Sequence, residues 1–228
     1  MTPQINRQTR NGTAIWYGVR EHAMVAISSG IAVHGGLLPF CATFLVFSDY
    51  ARAAIRTTAM MGAPVLLIFT HDSVLVGEDG PTHQPVEQLA GLRAVPNLYV
   101  VRPADFKEVW GCYQLMLNHP PAPYAMILTR QTTPQVVNTN AQAVSKGGYV
   151  VHSCHVPVHD IVIFASGSEL SLAIKIAEQL KTDHQLAVKV VSLVCFKLFQ
   201  QQPAVYRRQV YDHYQPFTVS IELGSTFG

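Results

Sequence analysis

Residues 64–85, PVLLIFTHDSVLVGEDGPTHQP, decide the fold of this 228-residue chain. Residues 64–70 form a continuous apolar run with β-branched and aromatic side chains, which is typical of a strand buried on both faces of a sheet. The loop at residues 77–85 then combines two glycines and two prolines with several titratable side chains. Open α/β sheets bind their ligands at the carboxyl ends of the strands. The stretch therefore predicts a parallel sheet with a functional site in the loop after this strand.

The chain on either side of this strand alternates between segments typical of strands and of helices. The other predicted strands of the first half lie at residues 38–44, 98–102 and 124–129. The predicted helices lie at residues 20–35, 46–61, 85–93 and from Asp105 onward. In the last of these, Glu108 three residues after Asp105 predicts a reciprocal N-terminal cap. The alternation favours a mostly parallel sheet with helices on both faces.

A second α/β unit follows a change in composition. Residues 132–148 are mainly polar, with proline and glycine, and we interpret them as an interdomain linker. Further strands are predicted at residues 160–165, 187–193 and 217–221, with a helix from Gly167 through about Lys181. We therefore predict an α/β chain with two doubly wound, mostly parallel-sheet domains, at residues 1–131 and 149–228.

The composition narrows the class of protein. Lysine and arginine number 16 and aspartate and glutamate 14, so the net charge is only +2, whereas a dedicated nucleic-acid binder shows basic clusters. Hydrophobic residues make up 49 % and charged residues 13 %, which predicts a folded chain whose surplus apolar surface is covered by another chain or domain. No apolar run approaches the roughly 18–20 residues of a membrane span, and the polar N-terminus does not resemble a secretory signal. We predict a cytoplasmic protein with no nucleic-acid or membrane partner.

Cysteine and histidine side chains are common ligands of zinc. The cysteines lie far apart without a Cys-x-x-Cys pair, so we interpret them as buried, reduced thiols; they are Cys41, Cys112, Cys154 and Cys195. A loose histidine run flanks a proline and lacks a helical frame, which favours a solvated loop over a zinc site; it consists of His152, His155 and His159. The sequence therefore predicts no metal ligand in this chain.

Two groups of residues have both a plain and a functional interpretation. Glu21 stands at the start of a predicted helix, where the helix dipole alone favours an acidic residue. Three aromatic side chains at spacing i, i+3 and i+6 either belong to the core or form a surface that stacks on a flat ring; they are Phe44, Phe47 and Tyr50.

The loop after the central strand is the third group. His71 and Asp72 follow the strand directly, and Asp79 and His83 lie in the glycine- and proline-rich turn. A purely structural loop rarely concentrates so many titratable groups, so a functional role is favoured. Arg130 closes the last strand of the first half at the same end of the sheet, where a guanidinium can bind an anion.

These motifs occur in the order and spacing of transketolases, and the chain resembles that family from about Trp16 to its end. The matching motifs of the first half are GVREHAM (18–24), TFLVFSDY (43–50), HDS (71–73), VGEDGPTHQPVEQLAGLRAVPN (76–97), RPAD (102–105) and LTRQ (128–131). Those of the second half are SKGGYV (145–150), ASGSELSLA (165–173), KVVSL (189–193) and STFG (225–228). The resemblance implies a thiamine-diphosphate pyrimidine-binding domain followed by a transketolase C-terminal domain.

The resemblance also implies an activity and a cofactor. The activity is transfer of a two-carbon ketol unit from a ketose phosphate to an aldose phosphate in the pentose phosphate pathway, with thiamine diphosphate as cofactor. Glu21 is implied as the catalytic carboxyl that hydrogen-bonds the aminopyrimidine ring of that cofactor. Phe44, Phe47 and Tyr50 are implied to surround the ring, with Phe47 stacked on it.

Four positions are implied to contact the sugar phosphate. His83 matches the residue that touches hydroxyls near the reacting carbon and counts with Glu21 as catalytic. Asp79 matches the carboxylate that binds the C2 hydroxyl. His71 and Arg130 match positions that bind the sugar phosphate, where a bidentate guanidinium suits the phosphate oxygens.

The family pattern is incomplete in this sequence. The domain that holds the cofactor's diphosphate and its Mg²⁺ or Ca²⁺ has no counterpart, and the first strand and helix of the pyrimidine domain and the end of the C-terminal domain are missing. We therefore expect a transketolase fragment that is inactive alone and works on sugar phosphates in a homodimer, or with the diphosphate-binding domain of another chain. A split-transketolase subunit and a non-catalytic binding partner of a transketolase are the alternatives.

Overall fold

A computed structural model describes residues 4–6, 8, 10–118, 121–154, 156, 158–212 and 216–226. Its first half forms a four-stranded sheet in the order β1-β2-β4-β3, with every neighbouring pair parallel. The strands are β1 (Phe40–Phe44), β2 (Leu66–Thr70), β3 (Tyr99–Val101) and β4 (Tyr124–Ile127). The helices are α1 (Glu21–His34), α2 (Ser48–Met61), α3 (Gln88–Arg93) and α4 (Phe106–Asn118).

The second half forms another four-stranded sheet, in the order β5-β7-β6-β8. Its strands are β5 (Tyr149–Ser153), β6 (Ile161–Ala165), β7 (Val188–Ser192) and β8 (Phe217–Ile221). Only the β5–β7 pair among the described strands is antiparallel. The helices are α5 (Glu169–His184), α6 (Phe196–Gln200) and α7 (Ala204–Tyr211). Two mostly parallel α/β domains are thus confirmed, whereas β5, α6 and α7 were not among the predicted elements.

Local chemistry explains where two helices begin and end. At the start of α4, the Glu108 backbone N–H donates to Asp105 Oδ1 at 3.1 Å, as a capping residue requires. The Glu108 carboxylate accepts from the Ala104 N–H at 2.7 Å rather than from Asp105, so the predicted reciprocal cap is displaced by one residue. Helix α2 ends at Gly62, whose φ of 62° lies in the left-handed region that favours glycine.

The segment predicted as a linker is packed rather than loosely tethered. Asp105 Oδ2 accepts from the Val136 N–H at 3.0 Å and from the Thr139 hydroxyl at 2.6 Å. A Cβ at Gly111 of α4 would lie 2.4 Å from the Ala141 carbonyl oxygen, so the segment and the helix are in close backbone contact. The segment therefore connects the halves through buried contacts, and the boundaries at residues 131 and 149 stay a prediction.

One hydrophobic cluster extends across both halves. Met126 of β4 and Val101 of β3 belong to the same buried cluster as Ile163 of β6 and Val190 of β7. A separate cluster lies on the other face of the first sheet and joins it to α1 and α2. The second sheet therefore packs directly against the first half of the chain.

The free cysteines and the histidine run have plain structural surroundings. Three thiols are buried and Cys154 is partly exposed, and burial raises the pKa of both Cys41 and Cys195 to about 11. His159 bonds to Asp212 Oδ2 at 2.7 Å and to the Ser153 hydroxyl at 2.8 Å, while His155 lies outside the described residues. Within the described ranges, no group of three or more His, Cys, Asp or Glu side chains could hold a metal ion. The helices described there include none that is long and apolar enough to cross a membrane.

Candidate functional site

The carboxyl edge of the first sheet carries most of the candidate residues. Phe44, the last residue of β1, is in register with Thr70, the last residue of β2. His71 follows Thr70 directly, and Arg130 comes shortly after the end of β4. Because neighbouring parallel strands end at the same edge, residues that are distant in sequence meet there.

Five of the predicted rings form one cluster. Phe44 stacks on His71 with 3.6 Å between the ring centroids and 16° between the planes. Phe47 lies nearly parallel to Phe44 at 6.0 Å, and Tyr50 lies 6.1 Å from Phe47. His83 meets Phe47 edge-on at 5.3 Å. The aromatic spacing in the sequence therefore builds a surface of rings from a strand end, a 3₁₀ turn and the start of α2.

Threonine hydroxyls orient both histidines of the cluster. The Thr70 hydroxyl bonds to Nδ1 of His71 at 2.9 Å, and the Thr82 hydroxyl bonds to Nδ1 of His83 at 2.9 Å. In each case Nε2 is the ring nitrogen left for a ligand, since the structure gives it no partner among the described residues. Sequence reasoning missed these threonines, although the repeated Thr-His dipeptide was a signal for them.

Glutamine side chains hold the start of the loop. Gln131 Nε2 donates a hydrogen bond to the Leu75 carbonyl in the turn Val74–Val76, at 2.6 Å. Gln84 Nε2 donates to the Val74 carbonyl in the same turn, at 3.1 Å. These bonds tie the turn at residues 74–76 to Gln84 at the end of the loop and to Gln131 after β4. Neither glutamine was predicted to have a role.

His71 lies in the field of several charged groups. Burial lowers its pKa, and the positive charge of Arg130 lowers it further. The negative charges of Asp79 and Asp72 act in the opposite direction, and His83 adds a small lowering effect. The net result is a lowered pKa for His71. The predicted substrate residues are thus close enough to influence one another electrostatically.

Replacing Arg130 with Gln is expected to raise the pKa of His71 toward the usual value of about 6.5, because a neighbouring positive charge that disfavours the imidazolium is removed. The opposite change is expected from Asp79→Asn, which removes a charge that favours the imidazolium. NMR titration of the His71 ring measures both. Arg56→Gln on α2 is the control and should leave the titration unchanged. Equal pKa values in the wild type and the Arg130 variant would mean that Arg130 does not face this imidazole.

Glu21 lies on the helix next to the elements that carry the ring cluster. It is the first residue of α1 and is partly buried, in the first turn where the helix dipole favours a negative charge. Helix α1 packs on α2 and β1, which carry Tyr50 and Phe44. Among the described residues, no hydrogen bond, ion pair or ring contact joins Glu21 to the cluster. The structure thus brings together the predicted aromatic and substrate residues and leaves Glu21 on the neighbouring helix.

The donor chemistry of the site fits a flat, polar ring and does not fit a diphosphate-bound metal. Phe47 and Phe44 are partly exposed and offer apolar ring faces, and the nearby imidazoles offer polar edges. A magnesium site needs several oxygen ligands in near-octahedral geometry, and no such group occurs in the described ranges.

Comparisons with known proteins identify the family of the chain. The family model for the transketolase pyrimidine binding domain matches residues 2–135, and the model for the transketolase-like C-terminal domain matches residues 147–228. The chloroplastic transketolase of Solanum tuberosum is 47 % identical over 93 % of this chain and 29 % of its own length. The transketolase of Bacillus subtilis is 46 % identical over 96 % of this chain and 33 % of its own length. The chain thus spans about a third of the relatives it matches.

Solved structures show the same relationship. The transketolase of Leishmania mexicana superposes with a TM-score of 0.94 at 43 % identity, over 100 % of this chain and 33 % of that one. A Pichia stipitis transketolase solved with sedoheptulose 7-phosphate gives 0.94 at 39 % identity, over 100 % and 34 %. A split-gene transketolase, described as an inactive β4 tetramer, gives 0.67 at 22 % identity over 89 % and 73 %, which shows a shared fold alone. On the two family models and the site at the sheet edge, this chain belongs to the transketolase family.

Proposed function

We propose that this chain supplies the pyrimidine-binding part and most of the sugar-contacting residues of a transketolase active site. The observation that carries the proposal is the cluster at the carboxyl edge of the first sheet. There, two phenylalanine rings and two threonine-oriented imidazoles lie within the field of Asp79 and Arg130. Apolar ring faces suit a flat cofactor ring, and the polar groups suit a phosphorylated sugar. The proposed reaction is ketol transfer from a ketose phosphate to an aldose phosphate in the pentose phosphate pathway.

The proposed cofactor is thiamine diphosphate, which supplies the carbon nucleophile when it is bound. Phe47 offers the ring face on which the aminopyrimidine would stack, and Phe44 and Tyr50 flank it. Glu21 would donate its carboxyl proton to a ring nitrogen and thereby hold the ring in its reactive form. Since Glu21 lies on α1 and the rings lie on β1 and α2, the packing of these elements sets the distance between the Glu21 carboxyl group and the aromatic rings.

The proposed substrate contacts follow from the charges. The Arg130 guanidinium is exposed and binds phosphate oxygens in a bidentate manner, with His71 beside it. His83 and Asp79 lie on the loop between β2 and α3 and bind sugar hydroxyls, His83 near the reacting carbon and Asp79 at C2. The Pichia stipitis relative was solved with a seven-carbon sugar phosphate, which supports this class of substrate.

Assembly with further protein is part of the proposal. An apolar groove of about 380 Å³ opens between α1 and α2, and its lining begins at His22, next to Glu21 in the sequence. We propose that a second copy in a homodimer, or the diphosphate-binding domain of another chain, covers this side of the molecule. Mg²⁺ or Ca²⁺ would be held by that diphosphate-binding domain. A cytoplasmic location stays a prediction.

A chimaera tests the proposed function. This chain would replace the matching third of the Bacillus subtilis transketolase, and turnover of sedoheptulose 7-phosphate with an aldose phosphate acceptor would be measured with thiamine diphosphate and Mg²⁺. We expect turnover in the chimaera and none in the isolated chain, because the sequence predicts that the diphosphate-binding domain is supplied by other protein. A folded, dimeric chimaera without turnover would overturn the assignment. Turnover by the isolated chain would overturn the expected inactivity.

A split-subunit role is the second candidate, and a non-catalytic binding partner of a transketolase is the third. The chain shares its fold with a split-gene transketolase chain, which is the reason to consider the split-subunit role. Adding a separately expressed diphosphate-binding domain to this chain distinguishes the split subunit from the binding partner. Restored turnover indicates a split enzyme, whereas binding without turnover indicates a binding partner.

A further inference from the structure

A fully buried arginine lies directly behind His71. Arg102 follows β3 and is 0 % exposed. Its Nε and Nη2 donate to Asp72 Oδ2 at 3.0 and 2.7 Å. Its Nη1 donates to the Ser166 carbonyl at 2.8 Å and to a Glu169 carboxylate oxygen. The guanidinium therefore joins the residue after His71 to the second half of the chain.

The backbone of Arg102 is attached to the same half. Its N–H donates to the Val194 carbonyl at 2.9 Å, and its carbonyl accepts from the Gly167 N–H at 3.0 Å. Gly167 has a φ of +59°, and a Cβ there would lie 2.6 Å from Arg102 Cζ, so the loop must be glycine to approach the guanidinium. The loops after β6 and β7 thus enclose Arg102 tightly.

A third carboxylate, that of Glu222, also lies near Arg102. Glu222, just after β8, lies 3.8 Å from Arg102 and binds Arg93 through two bonds at 2.5 and 2.8 Å. Burial disfavours the charged guanidinium, but Asp72 and Glu169 outweigh this effect and raise the pKa of Arg102. Arg102 therefore stays charged, and the orientation of Asp72 depends on groups from the second sheet.

The backbone at His71 needs external support. His71 has a φ of 60°, in the left-handed region that costs a residue with a side chain about 1–3 kcal/mol. Such a conformation persists only where the surroundings enforce it. On one side the Phe44 ring and the Thr70 hydroxyl hold the imidazole. On the other side, Arg102 holds the next residue, Asp72.

We propose that Arg102 is a positioning residue through which the C-terminal domain fixes His71 against Phe44. Asp72 makes this connection, because its carboxylate is bonded to Arg102 and its backbone directly follows that of His71. The importance of the His71 position for sugar-phosphate binding rests on the proposed function, whereas the coupling of Arg102 to His71 rests on the contacts described above. The C-terminal domain therefore acts on the site through Arg102 and Asp72.

NMR of the His71 ring in the isolated chain tests the coupling. Arg102→Lys keeps the charge but loses the fork that reaches Asp72 and Glu169 together. We expect the His71 ring protons to lose the upfield shift caused by the stacked Phe44 ring. Should this variant fail to fold, Asp72→Asn keeps the size of the side chain and weakens the same link. Unchanged His71 resonances in whichever of the two variants folds would overturn the inference.

A control and a second readout separate the inference from a general loss of stability. Lys189→Met removes a different ion pair of the C-terminal domain, with Asp212 at 3.0 Å, and should leave His71 unshifted. A His71 shift in that control equal to the shift in Arg102→Lys would overturn the inference. In the chimaera, Arg102→Lys is expected to raise the KM for sedoheptulose 7-phosphate more than it lowers kcat, and an unchanged KM would count against the inference. An inactive wild-type chimaera would overturn the proposed function while the NMR result still decides the coupling.

Discussion

Replacing Glu21 with Gln in the active chimaera is expected to lower turnover by about 10²–10⁴-fold, the usual contribution of a positioned proton donor or acceptor. The amide matches the carboxyl in size but cannot give a proton to the cofactor ring. Steady-state turnover of sedoheptulose 7-phosphate, measured at saturating thiamine diphosphate, checks the prediction. Stability should change little, because Glu21 is partly buried and has no hydrogen-bond partner among the described residues.

Glu178→Gln is the matched control, because this exposed glutamate of α5 lies in the other domain. It should leave turnover unchanged. A folded Glu21→Gln enzyme with near wild-type turnover would place the essential carboxyl elsewhere. A loss of cofactor affinity that accounts for the whole effect would assign Glu21 to binding rather than to proton transfer.

Replacing Arg102 with Met is expected to lower the free energy of unfolding by about 3–5 kcal/mol, as for other buried ion pairs that lose one partner. Asp72 and Glu169 would be left as buried carboxylates without their cation. This is a large fraction of the roughly 5–15 kcal/mol that stabilises an ordinary domain. Urea unfolding of the isolated chain, followed by circular dichroism, gives the difference.

Arg52→Met is the comparison for the Arg102 variant. Arg52 is only partly buried and donates to the Gly91 carbonyl at 2.7 Å, so its loss leaves no buried carboxylate unpaired. We expect a clearly smaller decrease in stability. Equal decreases in the two variants would show that the buried ion pairs of Arg102 are no more important than one ordinary hydrogen bond.

The parts of the fold that could be predicted have local signals. The apolar run at residues 64–70 is typical of a buried strand, and the stretch with glycine and proline after it is typical of a loop. Both β2 and this loop lie where these patterns predict them. Strand β5 was not predicted because it is an edge strand that directly follows the glycine-containing segment interpreted as a linker, and its register is irregular between Val150 and His152. The segment 132–148 was predicted to be a linker because its residues are mainly polar. The bonds from the Val136 N–H and the Thr139 hydroxyl to Asp105 pack it against α4, and the sequence does not reveal them.

The candidate site also contains residues that could be predicted from local sequence and residues that could not. Phe44, His71 and His83 were predicted from motifs that lie within one stretch of chain, and the structure places their rings together. The partners of Arg102 could not be predicted, since Asp72 and Glu169 lie 30 and 67 residues away in the sequence. Asp72 and Arg102 meet because both follow strands of the first sheet, whereas Glu169 reaches Arg102 only through the packing of the second half against the first.

The hydrophobic cluster that contains Met126 and Val190 has a consequence for how the chain can be divided. Both halves contribute side chains to this shared cluster, so we expect them to unfold in one cooperative transition. A protease cut or a gene break between them would expose apolar surface on both pieces and promote aggregation. The two family models divide the chain between residues 135 and 147, whereas its shared interior includes side chains from both sides of that boundary.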